Sequence, residues 1–173
     1  MKLAYTIAPG RGDTDLLLAA LADTLSTRGL RCCGTVQINS TDCDPARCDM
    51  DVRVLPEGPV IRISQDRGPM ARGCRLDPEA LERAVALTEA RLAEGADLLV
   101  VNKFGRHEAE GRGFRNAIAL ALERGIPVLA GLNGLNREAF ETFSGNTAEP
   151  VDPDAAELLA WVDAALDTTR GAA

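Results

Sequence analysis

Asn102, Lys103, Gly105, Arg106, His107 and Glu108 follow directly on an apolar run, Leu98-Leu99-Val100-Val101. An amide, two cations, an imidazole and a carboxylate this close together can bind an anion, move a proton or hold a metal. In open α/β sheets ligands bind just beyond the carboxyl ends of the strands. A buried strand that empties into such side chains therefore reads as a site. Glu108 is the candidate for acid–base or metal-water chemistry, although no second carboxylate lies beside it in sequence. Ser64 and Gln65 can orient a ligand but not activate one. No Ser-His-Asp or Cys-His nucleophile set is legible.

Positive charge is concentrated locally. Of 19 basic side chains, three (Arg67, Arg72, Arg75) lie in 67–75 and four (Lys103, Arg106, Arg112, Arg115) in 103–115. Guanidinium forks match phosphate-like oxyanions. If both segments meet at the carboxyl edge of the sheet, they make an anion site with Arg72, Gly73, Arg75, Asn102, Lys103, Arg106 and Arg137. Arg112 and Arg115 read more simply as the outward face of a helix.

The loop Pro9-Gly10-Arg11-Gly12-Asp13-Thr14 joins a first strand to a first helix. That arrangement lets bare backbone N–H groups and a helix N-terminus bind an oxyanion. Against the phosphate-loop pattern G-x-x-x-x-G-K-[ST], Gly12 and Thr14 fit, but Ile7 stands at the first Gly and Asp13 at the Lys. A residue that neutralises phosphate has become one that repels it. Gly10, Gly12, Asp13 and Thr14 remain candidates for contacting a ligand.

Metal ligation is the competing chemistry. Cys43, Cys48 and Cys74 with the sole histidine, His107, formally suffice for a tetrahedral site. The spacing lacks a C-x2-C pair, so Cys48, Cys74 and His107 form a loose set, equally open to a redox-responsive reading. Cys32 and Cys33 fall in a strand pattern and read as small buried hydrophobes.

Periodicity supplies the elements that would position these residues. Strands are expected at 2–8, 30–38, 97–102 and 126–132. A first helix, capped by Asp13 or Thr14, carries Leu16, Leu17, Ala20, Leu21 and Leu25 at helical spacing; a second starts at Asp77-Pro78 and a third runs from about 110 to 124. A short helix is expected at 138–143 and a last one from Asp152-Pro153. The runs DVRVL and PVIRI flank Pro56-Glu57-Gly58-Pro59 and predict a small hairpin, with Arg53 and Arg62 on its wet face. Together with the polar stretch 39–50 it forms an excursion at about 39–65. The whole predicts a single α/β domain over 1–173: a three-layer parallel sheet flanked by helices, with a small β-hairpin insertion.

Composition excludes some classes. With 173 residues and 46% hydrophobic content the chain can bury its own core. A net charge of −7 and only six aromatic residues disfavour nucleic acid as a partner. No apolar run approaches the roughly 20 residues of a membrane-spanning helix, and the N-terminus enters a strand pattern without signal-peptide features. A cytoplasmic location is expected.

The blocks CDMDVRVL, IRISQDRGPMARGCRLDPEAL, LLVVNKFGRHEAEGRGFR and GIPVLAGLNGLNREAFETFSG resemble a bacterial family of unknown function. That family is placed among P-loop nucleoside triphosphatase-like proteins, and some members are grouped with molybdenum ABC-transporter ATP-binding proteins. More distantly the layout is similar to the thermophilic nucleoside-triphosphatase family. There a D-E-x-G-x-x-E block follows the Walker B strand, and Asn102, Lys103, Gly105 and Glu108 stand at its D, E, G and last E. The resemblance implies a P-loop-like fold and a nucleotide with Mg²⁺, or molybdate, as ligand. It also implies a transporter or metal-cofactor protein as partner. Because Asp13 replaces the phosphate-binding Lys and Asn102 the magnesium-binding Asp, it implies binding more than turnover. The alternatives are a weak nucleoside triphosphatase using Glu108, and a metal-binding or redox-responsive protein using Cys48 and Cys74.

Overall fold

The computed structural model describes residues 2–39, 49–65 and 75–170. Arg67, Arg72, Gly73, Cys43, Cys48 and Cys74 lie outside the described residues. Alternation along the strands builds three layers. In β1 (Leu3–Thr6), β5 (Leu98–Val101) and β6 (Val128–Gly131) every side chain is buried. Leu3, Tyr5, Leu99, Val101, Val128 and Ala130 pack on one face with α2 (Pro78–Ala93), α4 (Arg115–Glu123) and α5 (Arg137–Phe143). Ala4, Leu98, Val100 and Leu129 turn to the other face, under α1 (Asp13–Thr27) and α6 (Ala155–Arg170). Strands covered on both sides must be apolar throughout, which is why they read as continuous runs.

The sheet has seven strands in the order β4-β3-β2-β5-β6-β1-β7, with β2 at Cys32–Asn39, β3 at Met50–Leu55, β4 at Val60–Arg62 and β7 at Glu149–Pro150. Pairing is parallel from β2 through β7. The expected hairpin forms, but it is not set apart as an insertion. β3 runs antiparallel to β2 from Gly34↔Leu55 to Asn39↔Met50, and β4 runs antiparallel to β3. The physical reason is burial: Val52 and Val54 cover Ala80 and Ala84 of α2, so the hairpin has a core face as well as a wet one. Arg53 pairs with Asp23 of α1, and Arg62 with Asp49 and Asp51. The short β7 was not expected from the sequence.

Three further expectations shift. The cap of α1 falls on Gly12 (φ 86°), not on Asp13 or Thr14, and no side chain closes it. The buried stripe of that helix is Leu18, Leu21, Ala22 and Leu25, leaving Leu16 exposed. The helix expected at 110–124 begins only at Arg115 as α4, and a separate short helix, α3 (Arg106–Ala109), precedes it, because Gly111 and Gly113 adopt left-handed φ values of 92° and 60° between them. At α2 the cap is as expected: Asp77 accepts from the N–H groups of Glu79 and Ala80, and Pro78 fills the first turn.

Candidate functional site

The carboxyl ends of β1, β5 and β6 are bound together just where their loops depart. Leu132 N donates to Thr6 O at 3.0 Å, and Phe104 N donates to Gly131 O at 2.9 Å. The approach is close enough that a Cβ on Gly131 would run into the main-chain oxygen of Asn102 and press on Thr14 Cγ2 at 2.9 Å. Above this edge opens a cleft of about 580 Å³, lined by the 7–12 loop, Thr14, Asp15, Lys103, Leu132, Asn133 and Gly134. The sequence-predicted residues Gly10, Gly12, Thr14 and Lys103 meet there. Thr14 is held by its hydroxyl, which accepts the Ala8 N–H at 3.0 Å. The Asp13 carboxylate folds back over Gly10, so closely that a Cβ there would collide with it.

Beneath the cleft Asn102 is closed off. It is 3% exposed, its Oδ1 accepts the Gln37 N–H at 2.9 Å, and its Nδ2 donates to Asp15 Oδ1 at 2.8 Å. A main-chain N–H can only donate, so the amide orientation is fixed by chemistry. Asp15 is 2% exposed, and the Lys103 ammonium stands 3.7 Å from its Oδ1. The Lys103 side chain is 44% exposed and lines the cleft. The result is a buried carboxylate on α1 that holds both the amide and the cation of β5's exit.

Glu108 is buried too, yet it does not line this cleft. Its Oε2 accepts the Gly105 N–H at 2.9 Å and its Oε1 the Phe114 N–H at 3.3 Å. Burial raises its pKa above the ordinary 4.5, with those backbone donors acting in the opposite direction. Both oxygens are thus engaged in tying α3 to the start of α4. His107 faces Glu82 of α2, Nε2 to Oε1 3.2 Å, and Glu82 also accepts the Gly113 N–H. This contact lies in a separate groove with Glu79, Glu89 and Arg112. Among the described residues no group of three or more His, Cys, Asp or Glu side chains can hold a metal.

The remaining expected ligand residues do not converge. Ser64 accepts from Met50 N at 3.0 Å and contacts Asp49. Gln65 N donates to Arg75 O at 2.7 Å, while the Arg75 guanidinium reaches Gln65 O and Asp49. These residues knit the edge beside β3, which stands three strand spacings from β6, about 14 Å at roughly 4.8 Å per strand. Arg106 is exposed and donates to Glu110 at 2.6 Å. Arg137 donates to Glu141 at 2.8 Å, which lowers that carboxyl's pKa together with the hydroxyl of Tyr5. Asp15, Gln37 and Arg11 were missed by sequence reasoning. Asp15 has the local signature of an ordinary first-turn acid, and Gln37 takes part through its main chain, which no side-chain pattern reports.

No helix among the described residues is long and apolar enough to cross a membrane. In sequence the chain is 36% identical over 160 residues to the "Molybdenum import ATP-binding protein ModC 2" of Bradyrhizobium diazoefficiens, a match covering 92% of this chain. It spans only 18% of the length of that relative. In structure it is similar to the solution structure of a human cancer-related nucleoside triphosphatase, with a TM-score of 0.58, 18% identity and 87% of each chain covered. That likeness establishes the P-loop nucleoside triphosphatase-like fold of the seven-stranded sheet. With residues 3–161 matched, the chain belongs to the family described as "Protein of unknown function (DUF2478)".

Proposed function

We propose that this is a binding protein built on a degenerate nucleotide-binding fold. Its cleft takes the phosphate end of a nucleotide, or an oxyanion of similar charge such as molybdate, and does not turn the nucleotide over. One observation carries this reading: Gly10, Gly12, Thr14 and the uncapped start of α1 open onto the same cleft as the Lys103 side chain. The first turn of a helix leaves N–H groups without intrahelical partners, and its dipole favours an anion. Turnover would need a lysine on the phosphates and an acid on Mg²⁺; Asp13 and Asn102 supply neither. A link to molybdenum, with a transporter or metal-cofactor protein as partner, is supported by the likeness to the import protein alone. A cytoplasmic location accords with such a ligand.

The test is calorimetric titration and thermal shift with ADP, ATP, orthophosphate and molybdate, beside a phosphate-release assay with ATP. Binding without release is the expected result. Asp13→Asn removes a negative charge from above Gly10 and is expected to tighten ADP binding several-fold. Silence toward every one of these ligands, or ATP turnover abolished by Lys103→Gln, refutes the reading.

A further inference from the structure

The P-loop nucleoside triphosphatase-like fold implies a magnesium ion beside the phosphates, and the residues of this chain do not fit one. Mg²⁺ requires near-octahedral oxygen ligands, commonly a carboxylate at the end of the central strand and the hydroxyl that follows the loop lysine. Asn102 occupies the strand position as a neutral amide. Its oxygen already accepts the Gln37 N–H, and its nitrogen faces Asp15. Turning the amide over to free the oxygen would set Nδ2 against the Gln37 N–H, leaving two donors opposed in a buried place. Thr14, at the hydroxyl position, already accepts the Ala8 N–H on one of its two lone pairs.

What the site has is a different cation. Lys103 directly follows Asn102, and its ammonium stands 3.7 Å from the buried Asp15 Oδ1 while its side chain lines the cleft. The carboxylate that the fold ordinarily spends on a metal has, in effect, moved from β5 to α1, where it holds an ammonium. A divalent ion brought to this floor meets that positive charge at close range; an anion meets its complement. From this, resting on the anion-binding reading above, we infer that the site selects the metal-free form of its anionic ligand. Lys103 is its specificity-determining cation, and Asp15 and Asn102 are the positioning residues that hold it. A free nucleoside diphosphate or a bare tetrahedral oxyanion is accepted, and the magnesium chelate is disfavoured.

The experiment titrates the full chain with ADP and with molybdate, each in excess EDTA and in excess Mg²⁺. ADP is expected to bind in EDTA and at least tenfold more weakly when chelated by Mg²⁺, whereas molybdate affinity changes little between the buffers. Lys103→Gln is expected to weaken binding in EDTA by tenfold or more, with Lys103→Arg recovering most of it. Circular dichroism and melting of both variants check that the fold is kept. ADP binding that requires Mg²⁺ overturns the inference while leaving nucleotide binding in place. EDTA binding unaffected by Lys103→Gln overturns the role of Lys103. No binding of either probe in either buffer removes the anion-binding reading itself, and this inference with it.

Discussion

Replacing Asn102 by Asp puts a carboxylate at the exit of β5 with a change of one side-chain atom, and the geometry predicts that the protein suffers for it. One carboxylate oxygen keeps the Gln37 N–H. The other takes the place of Nδ2, 2.8 Å from Asp15 Oδ1, where a donor has become an acceptor. Two ionised carboxylates at that distance repel by about 6 kcal/mol even at an effective dielectric near 20. One of them therefore takes up a proton. Keeping an acid of ordinary strength protonated at pH 7 costs about 4 kcal/mol, which sets the ceiling. The Lys103 ammonium, 3.7 Å from Asp15 and partly screened by solvent, reduces it, leaving a loss of about 2–4 kcal/mol at pH 7. The variant pair holds its proton more tightly folded than unfolded, so the penalty shrinks as pH falls, to about 1.5 kcal/mol or less near pH 5. Urea unfolding of parent and Asn102→Asp at both pH values measures it. Adding Asp15→Asn returns one donor and one acceptor to the contact and is expected to recover most of the loss. A single variant as stable as the parent at pH 7, or a loss that does not change with pH, refutes the reasoning.

Glu108→Gln offers only one acceptor to the two N–H groups of Gly105 and Phe114 and is expected to cost about 1–3 kcal/mol in chemical unfolding. Burial raises the folded pKa of Glu108 above 4.5, so its contribution to stability is full below the unfolded value and is lost as pH rises through the folded one. The Gln variant removes that fall, and parallel slopes for the two proteins from pH 4 to 7 would contradict the assignment. Burial pushes the Cys32 thiol up to about 12, and Cys33 is raised for the same reason. Iodoacetamide at pH 8 is expected to spare both in the folded protein and modify both in denaturing urea, read by peptide mass mapping; quick labelling of the folded protein would contradict their burial. Gly131→Ala drives a methyl into the main chain at Asn102 and against Leu18 Cδ1 at 2.8 Å. It is expected to destabilise by about 1–3 kcal/mol, seen as a lower melting temperature, and an unchanged melting temperature would deny the close approach of β5 and β6.

Much of the frame was legible because it is local. Runs such as Leu98–Val101 can be covered only on both faces, and Asp77-Pro78 starts a helix with its own atoms. The break between α3 and α4 was also legible in principle, since Gly111 and Gly113 sit inside the helix that periodicity suggested. The hairpin was visible as two alternating strands, but its union with β2 was not. Strand pairing depends on what covers each face, and α2 supplies that cover from later in the chain. The cleft was half legible: Gly10, Gly12, Thr14 and Lys103 lie at strand exits, where a parallel sheet gathers its loops.

By itself the sequence determined the layered α/β frame, the altered phosphate loop with Asp13 in place of a lysine, and the amide at the end of the central strand. All follow from spacing and side-chain type within a few residues. Tertiary structure alone decided what those residues do. Asn102 finds its partners 65 and 87 positions away, so only the packing of α1 and β2 against β5 turns an apparent ligand into a buried clasp. The same packing turns Glu108 into a tie between α3 and α4, separates Arg75 from Lys103 across the sheet, and sets a buried carboxylate under the lysine. A side chain's chemistry is written in its type, but the charge and donors that face it come from segments that meet only when the sheet closes.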